Sequence, residues 1–385
     1  MLSFFSFIDW ILFTFLTLCV AYFLIFAIAS LFYREKQYPN TETRHRFLVL
    51  FPAYAEDAVI VNSIKTFLQQ DYPKEYYQIV TISDHQKEGT VRQLLDLPII
   101  TLIATYKNST KAKAMKLAID KIEGNFDTVV VLDADNLAPS NFLSEINKMR
   151  VSGAKAIQVH RRGIINDSPI ALLDDVSEEI NNGIFRKGHQ TLGLSSALTG
   201  SGMAFDYTWF KSNIGKANSA GEDKELEIML LNQRIQILYS DKLYVFDKKT
   251  DKQATISKQR KRWMASQYSL VLTSIPYLGK ALFSLNISYA DKIIQWILPP
   301  RLIQLALIFG ITLVMLIFLN FSHSEKWLYL SLAQILAMLI SIPSHCWNKK
   351  LIFSLTQAPI LTVKVIKDLF HLKGASKLFI HTKHE

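Results

Sequence analysis

Thr128-Val-Val-Val-Leu-Asp-Ala-Asp-Asn136 is an apolar run that stops abruptly at two carboxylates. A continuous apolar run of this length reads as a strand buried on both faces of a parallel sheet. Ligands of open α/β sheets collect at the carboxyl ends of such strands, so Asp133 and Asp135 stand where chemistry is expected. Two apart in extended backbone, they project to the same side and are spaced to grip a divalent cation carrying a diphosphate. A polar pair that merely ends a strand would look the same, and the rest of the chain has to decide.

Upstream, three more strands are predicted: 46–51, broken by Pro52; 77–83, ending at Asp84-His85; and 99–105. Helical patterns separate them at 58–70, which ends at the turn signal Asp71-Tyr-Pro73, and at 112–123. This alternation predicts right-handed βαβ units and a parallel, nucleotide-binding type of half-domain over residues 44–135. Beyond Asn136 the pattern mixes, with helices expected at 139–150 and 169–187 and a strand at 155–160. Thr199-Gly-Ser-Gly-Met-Ala-Phe205 concentrates small residues, a sign that backbone passes close to a ligand or another strand. Gly221-Glu-Asp223 opens a helix with acids in its first turn, which dipole compensation alone would also explain.

Half of the 385 residues are hydrophobic, but unevenly spread. Residues 10–32, 302–322 and 327–344 carry no charge. Runs of about 20 apolar residues match a bilayer's hydrocarbon core, so three spans and a membrane-integral chain are expected. The first run lacks the basic n-region and cleavage site of a secretory signal and reads as an anchor over residues 1–34. Arg34, Lys36, Arg44 and Arg46 follow it, and the positive-inside rule puts the following domain in the cytoplasm with Met1 outside. Residues 302–345 form the other two spans, and Lys349, Lys350 and a Lys/His-rich tail return to the same side. Residues 272–298 are interrupted by Pro276, Gly279 and Asp291, and 350–370 by Pro359, Lys364 and Lys367. Both read as interfacial segments, the second with a further span as its alternative. The net charge of +10 gathers near these spans, favouring lipid headgroups over nucleic acid as partner. Cys19 and Cys346 support neither a disulfide framework nor a zinc site.

Seven short motifs stand in order: Phe51-Pro-Ala-Tyr-Ala-Glu-Asp57, Ser83-Asp-His85, Lys111-Ala-Lys-Ala114, Asp133-Ala-Asp135, Thr199-Gly-Ser-Gly202, Gly221-Glu-Asp223 and Gln259-Arg-Lys-Arg-Trp263. Over roughly residues 45–270 the chain thereby resembles membrane-bound inverting family 2 glycosyltransferases, the group that includes cellulose, chitin and hyaluronan synthases and ceramide glucosyltransferase. The resemblance implies a GT-A type, Rossmann-like nucleotide-sugar-binding domain at 44–252. Interfacial helices with the Gln-x-x-Arg-Trp motif would follow at 253–298, and an amphipathic helix and basic tail would occupy 350–385. It implies that Pro52, Ala53, Tyr54 and Glu56 lie against the donor nucleoside and that Asp84 meets the base, where a carboxylate can accept from a uracil N–H. Lys113 would sit near the nucleotide. Asp133 and Asp135 would hold Mg2+ or Mn2+ with the diphosphate, and Asp223 would take the acceptor's proton. Gln259 and Arg262 would grip the leaving diphosphate. Trp263, with Gly200, Ser201 and Glu222, would line the acceptor side. The implied activity is transfer from a UDP-sugar to a growing polysaccharide or glycan at the cytoplasmic membrane face. Single-sugar transfer to a membrane lipid or lipid-linked acceptor is the alternative, and a non-enzymatic transporter or scaffold the reading from another class. The chain departs from the family at Ala55, often Asn; at Ala112, often Gly; and near Asp84, where only Glu88 supplies a second acid.

Overall fold

The computed structural model describes residues 2–164, 168–219, 221–248, 264–265, 267–318 and 321–357. A 29-residue helix, α1 (Leu2–Ser30), leads into the sheet domain. There β1 (Phe47–Tyr54), α2 (Ile60–Phe67), β2 (Tyr77–Asp84), α3 (Glu88–Leu95), β3 (Ile100–Ala104), α4 (Lys111–Lys121) and β4 (Thr128–Val131) alternate as the sequence predicts, except that β1 continues through Pro52 instead of breaking there. Helix α3 is the other exception, and its sequence shows why: Glu88-Gly-Thr-Val-Arg-Gln-Leu-Leu95 buries only Thr90 and Leu94, too few apolar positions to show a period. Next come α5 (Phe142–Val151), β5 (Ala156–Ile164) and α6 (Pro169–Asn181), the last starting on a Ser168 cap. The helix expected over 169–187 changes to a wider π-helical turn at Asn182–Gly188 before a last turn, α7 (His189–Thr191). Then follow β6 (Met203–Asp206), α8 (Tyr207–Asn213), α9 (Glu222–Asn232) and β7 (Ile237–Lys248).

The seven strands lie in the order β3-β2-β1-β4-β6-β5-β7. All neighbours are parallel except β6, which runs antiparallel between β4 and β5. The alternation of side chains divides the core. From β4, Val129 and Val131 join Leu48, Leu50, Met115 and Phe210 on one face of the sheet. Val130 and Leu132 join Phe47, Phe51, Phe67 and Phe142 on the other. Covered on both sides, these strands need apolar residues at every position, which is why β4 reads as an unbroken run.

Beyond the sheet, a short helix at Leu278–Phe283 precedes α10 (Ile287–Ile297), α11 (Arg301–Phe318), α12 (Phe321–Ile340) and α13 (Lys349–Leu355). Among the described residues, two segments are long and apolar enough to cross a bilayer, 6–30 and 301–318. The third expected span is a 20-residue helix, but it starts early enough to carry Glu325 and Lys326 in its second turn. Lys326 pairs with Asp9 of α1, and Trp327 Nε1 donates to the same carboxylate at 2.9 Å. Helix α1 packs closely on the π-helical turn: a Cβ on Gly188 would lie 2.2 Å from the Phe26 carbonyl oxygen. The cysteines are free and buried.

Candidate active site

Three strand ends and two helix starts converge. At the end of β1, Tyr54 pairs in register with Asp84 of β2, and the next amide, Ala55 N–H, donates to the Asp84 carbonyl at 2.8 Å. Both chains then turn sharply, Ala55 at φ +52° and His85 at φ +56°. Ala53 and Asp84 are buried, Pro52, Tyr54 and Glu56 half-buried. His85 Nδ1 lies 2.5 Å from the Asp84 carboxylate and its ring 5.1 Å from that of Tyr54. An aromatic face beside a buried carboxylate is a polar slot fit for a planar base.

Asp133 lies two residues past the end of β4 and faces the N-terminus of α4. Lys111, the first residue of α4, reaches back to pair with Asp133 and donates to the Gly200 carbonyl at 2.6 Å. Burial alone would raise the Asp133 carboxyl, but Lys111 and then Arg161 outweigh it and hold it below the ordinary range, so it is ionised. Lys113, the residue singled out from the sequence, instead extends outward, donating to the Asn108 carbonyl at 2.7 Å and lying 5.9 Å from the Tyr106 ring centroid. Asp135 accepts from Asn136 Nδ2 at 3.2 Å.

The antiparallel register explains why residues 199–202 arrive here. Val131 at the end of β4 pairs with Met203 at the start of β6, so the loop before β6 lies against Asp133. The Asp133 N–H donates to Ser201 Oγ at 2.8 Å, and Ser201, fully buried, bonds Asn136. Gln158 of β5 ties the loop's other side, accepting from Thr199 N–H and donating to the Ser201 carbonyl. Gly200 and Gly202 have φ +85° and +63°. A Cβ on Gly202 would lie 2.6 Å from Val159 and 2.8 Å from Val245, so the close approach expected of this small-residue stretch is to neighbouring strands.

Gly221-Glu-Asp223 opens α9 opposite that loop. Asp223 Oδ2 lies 4.0 Å from where a Gly200 Cβ would stand. Glu222, buried, faces the donor-side pair, with Oε1 3.9 Å from Lys111 Nζ. Burial pushes its carboxyl up to about 7; Lys111 opposes the rise and Asp223 adds to it.

The structure therefore brings together Asp133, Gly200, Ser201, Glu222 and Asp223, and sets Pro52, Ala53, Tyr54, Glu56 and Asp84 at the adjacent strand ends. Gln259, Arg262 and Trp263, and with them the first part of the interfacial helices expected at 253–298, lie outside the described residues. So does most of the amphipathic helix expected at 350–370. Sequence reasoning missed Lys111, hidden two residues before a more familiar lysine, and Arg161, whose guanidinium donates to Asp247 at 2.7 Å and sits in the field of Asp133 and Asp135. The signal for Arg161 was present as paired arginines ending an apolar strand, Val159-His-Arg-Arg162.

Among the described residues, no three His, Cys, Asp or Glu side chains come together as a closed metal cage. Two ionisable carboxylates at one strand end, with one of them held ionised, fit a hard cation that brings further oxygen ligands of its own, as a metal diphosphate does.

The chain is similar to known proteins at three levels. A family model described as Glycosyltransferase like family 2 matches residues 45–266. The probable glycosyltransferase YdaM of Bacillus subtilis (strain 168) is 29% identical over 102 residues, 25% of this chain and 24% of that protein, so the chain spans about a quarter of that relative. The mannosyltransferase PcManGT from Pyrobaculum calidifontis, solved with GDP-Man and Mn2+, superposes with a TM-score of 0.55 at 14% identity, covering 93% of this chain and 99% of that one. S. aureus TarS 1–349 in complex with UDP-GlcNAc gives 0.45 at 15% identity, covering 86% and 90%. The mannosyltransferase shares the fold.

Proposed function

Because the chain belongs to glycosyltransferase family 2, we propose that it moves a sugar from a UDP-sugar to a growing polysaccharide or glycan, with inversion at the anomeric carbon. The observation that carries this reading is the meeting of donor and acceptor sides at one loop. Lys111 bonds both Asp133 and the Gly200 carbonyl, while Asp223 stands across from Gly200.

On the donor side, Asp84 accepts from the base and Tyr54 offers its ring. Mg2+ or Mn2+ held by Asp135 and Asp133 would supply Lewis-acid neutralisation of the diphosphate. Lys111 keeps Asp133 charged and in place, and Glu222 closes the far side of that lysine. Lys113 stays near the nucleotide in this reading, reaching it from the rim. On the acceptor side, Asp223 takes the proton of the attacking hydroxyl. One base and a direct displacement invert the centre, whereas retention would need a nucleophile as well. Gly200, with Ser201 fixing its loop, leaves open the space where a side chain would meet Asp223. Gln259, Arg262 and Trp263 are assigned by resemblance, the guanidinium to the departing diphosphate and the indole to the acceptor sugar.

The apolar helices favour a bilayer as partner, with the sheet domain on its cytoplasmic face. A specific observation supports the second acceptor. Leu16, Val20, Ile308, Trp327 and Leu330 pack together between α1, α11 and α12. That closely packed contact supports, as the second reading, single transfer to a membrane lipid or lipid-linked acceptor.

The test is a panel of UDP- and GDP-sugars offered to the purified chain, read by nucleoside diphosphate release. A UDP-sugar should be turned over, and Asp223→Ala or Asp135→Ala should abolish turnover while the protein stays folded in detergent. Full turnover by either variant would sink the assigned chemistry. Membranes given the active donor then separate the acceptors: a lipid carrying one added sugar, or a polymer.

A further inference from the structure

Buried ion pairs lie outside the reacting groups, and one set of them leads to the acceptor loop. Glu227, one turn further along α9 from Asp223, is fully buried. Its Oε2 accepts from Leu198 N–H at 3.2 Å, while Lys224 of the same helix donates to the Leu198 carbonyl at 2.7 Å. The two side chains thus hold both polar groups of the residue that enters Thr199-Gly-Ser-Gly202. Lys224 Nζ also stands 3.3 Å from Glu227 and 3.8 Å from Asp223. The other oxygen of Glu227 lies 2.7 Å from Lys292 Nζ, both side chains at 0% exposure.

Lys292 comes from α10, outside the sheet domain. Its neighbour Asp291 points another way: Tyr22 of α1 donates to Asp291 Oδ1 at 2.9 Å, and His189 Nε2 lies 3.1 Å from Oδ2. The start of α10 is tied in as well, with Asn286 Nδ2 donating to the Leu231 carbonyl at 2.8 Å and Ser288 Oγ accepting from Ser195 N–H. At its end, Gln267, four residues past Trp263, donates to the Trp296 carbonyl at 2.9 Å. One helix therefore touches the acceptor loop's support, the N-terminal apolar helix and the exit of the Gln-x-x-Arg-Trp segment.

We propose that Lys292 is a positioning residue for the transfer reaction, setting the Gly200 loop and the start of α9 through Glu227, with Asp291 fixing α10 to α1. The argument is electrostatic. A carboxylate with no exposure needs its full set of partners, and removing one leaves a buried charge that draws on those remaining. With Lys292 gone, Lys224 is the cation left to Glu227, and turning toward it means leaving the Leu198 carbonyl. The loop facing Asp223 then loses one of its two holds. Small displacements of this kind reach the reaction through geometry, leaving the donor slot at Asp84 untouched.

The proposal rests on the transferase reading above, and two readouts separate them. In Lys292→Met, amides of residues 198–202 should exchange with solvent at least about tenfold faster. Turnover should fall by about tenfold or more, with the donor KM within about twofold of wild type. Glu227→Gln/Lys292→Met removes both charges and keeps an acceptor for Leu198 N–H; it should regain wild-type protection of the loop and most of the turnover. Unchanged exchange at 198–202 in Lys292→Met overturns the proposal. So does faster exchange with unaltered turnover, or a loss of turnover that the double variant fails to recover. A wild-type chain that turns over no nucleotide sugar would remove the transferase reading, and loop exchange in the two variants would still decide whether Lys292 holds the Gly200 loop through Glu227.

Discussion

Ala55 sits at φ +52°, a left-handed conformation that a non-glycine L-residue pays for with about 1–2 kcal/mol. The chain tolerates this because the turn must deliver Ala55 N–H to the Asp84 carbonyl beside the nucleotide slot. Ala55→Gly or Ala55→Asn should raise stability by about 1 kcal/mol, read as a higher denaturation midpoint in detergent with unchanged slope. Asn at this position in the resembling family has the same physical explanation, since it enters the left-handed region more readily. The sequence showed the departure at Ala55, but its backbone cost became visible only with the dihedral. Glu222 carries a second prediction. Its carboxyl rises from the ordinary 4.5 to about 7 on folding, mainly through burial. The folded chain then keeps a proton that the unfolded chain gives up. Stability from this group is full below pH 4.5 and is lost as pH rises toward 7. Denaturation midpoints of wild type should therefore fall relative to Glu222→Gln across that window. A constant difference between the two would place the Glu222 titration elsewhere.

Elements differ in how far their sequences announce them. Strands β1, β2 and β4 carry apolar runs through their centres because both faces are covered, and they were legible for that reason. Strand β7, twelve residues long, was not read: in Ile237-Leu-Tyr-Ser-Asp-Lys-Leu-Tyr-Val-Phe-Asp-Lys248 the polar block Ser240-Asp-Lys242 interrupts the apolar residues, and the strand, at the sheet's edge, shifts register against β5 at Val159/His160. Strand β6 was visible only as a cluster of small residues. Its Gly202 is there because β5 and β7 leave no room. Gly202→Ala places a methyl 2.6 Å from Val159 and 2.8 Å from Val245 at φ +63°. It should destabilise the sheet domain by about 1–3 kcal/mol, measured by chemical denaturation, and reduce turnover through the loop it anchors. Gly89→Ala, with open space around it, is the control that should leave both unchanged. The candidate site was legible wherever a strand ends in acids. It was opaque at Lys111, whose partners Asp133 and Gly200 are 22 and 89 residues away and meet it only through the fold.

At the scale of the whole molecule, the apolar surface is concentrated. Besides α1 and α11, the segment from Tyr268 to Ile287 exposes Tyr268, Leu272, Tyr277, Leu282, Phe283 and Leu285, with Phe283 at 93%. An exposed apolar knuckle of this kind, with Lys280 within it, lies in the segment expected from sequence to be interfacial, and contact with lipid is what a test has to establish. If this face meets lipid, a Phe283→Trp variant in vesicles should emit at shorter wavelength than in detergent-free buffer and be quenched by lipids brominated near the headgroup. Emission unaffected by brominated lipid would place residue 283 away from the bilayer. The three apolar runs were the plainest signal in the chain. Their boundaries were less so, because Phe321–Ile340 takes Lys326 into its second turn to pair with Asp9 of α1, an attachment that composition alone does not reveal.

The reversed strand β6 also bears on how the protein is made. β1 finds its neighbours β2 and β4 within 131 residues of the start, but β4 is bordered on its other side by residues 203–206. During synthesis, a chain released only as far as residue 200 leaves Thr128–Val131 as an open, largely apolar edge, the kind of surface that captures other chains. Covering that edge waits for β6, the sheet is complete only with β7, and the support beneath the β6 loop waits for Lys292. The reacting groups are thus assembled last, after the N-terminal helix has already emerged, and truncations between 135 and 200 should aggregate where those ending past 300 remain soluble in detergent.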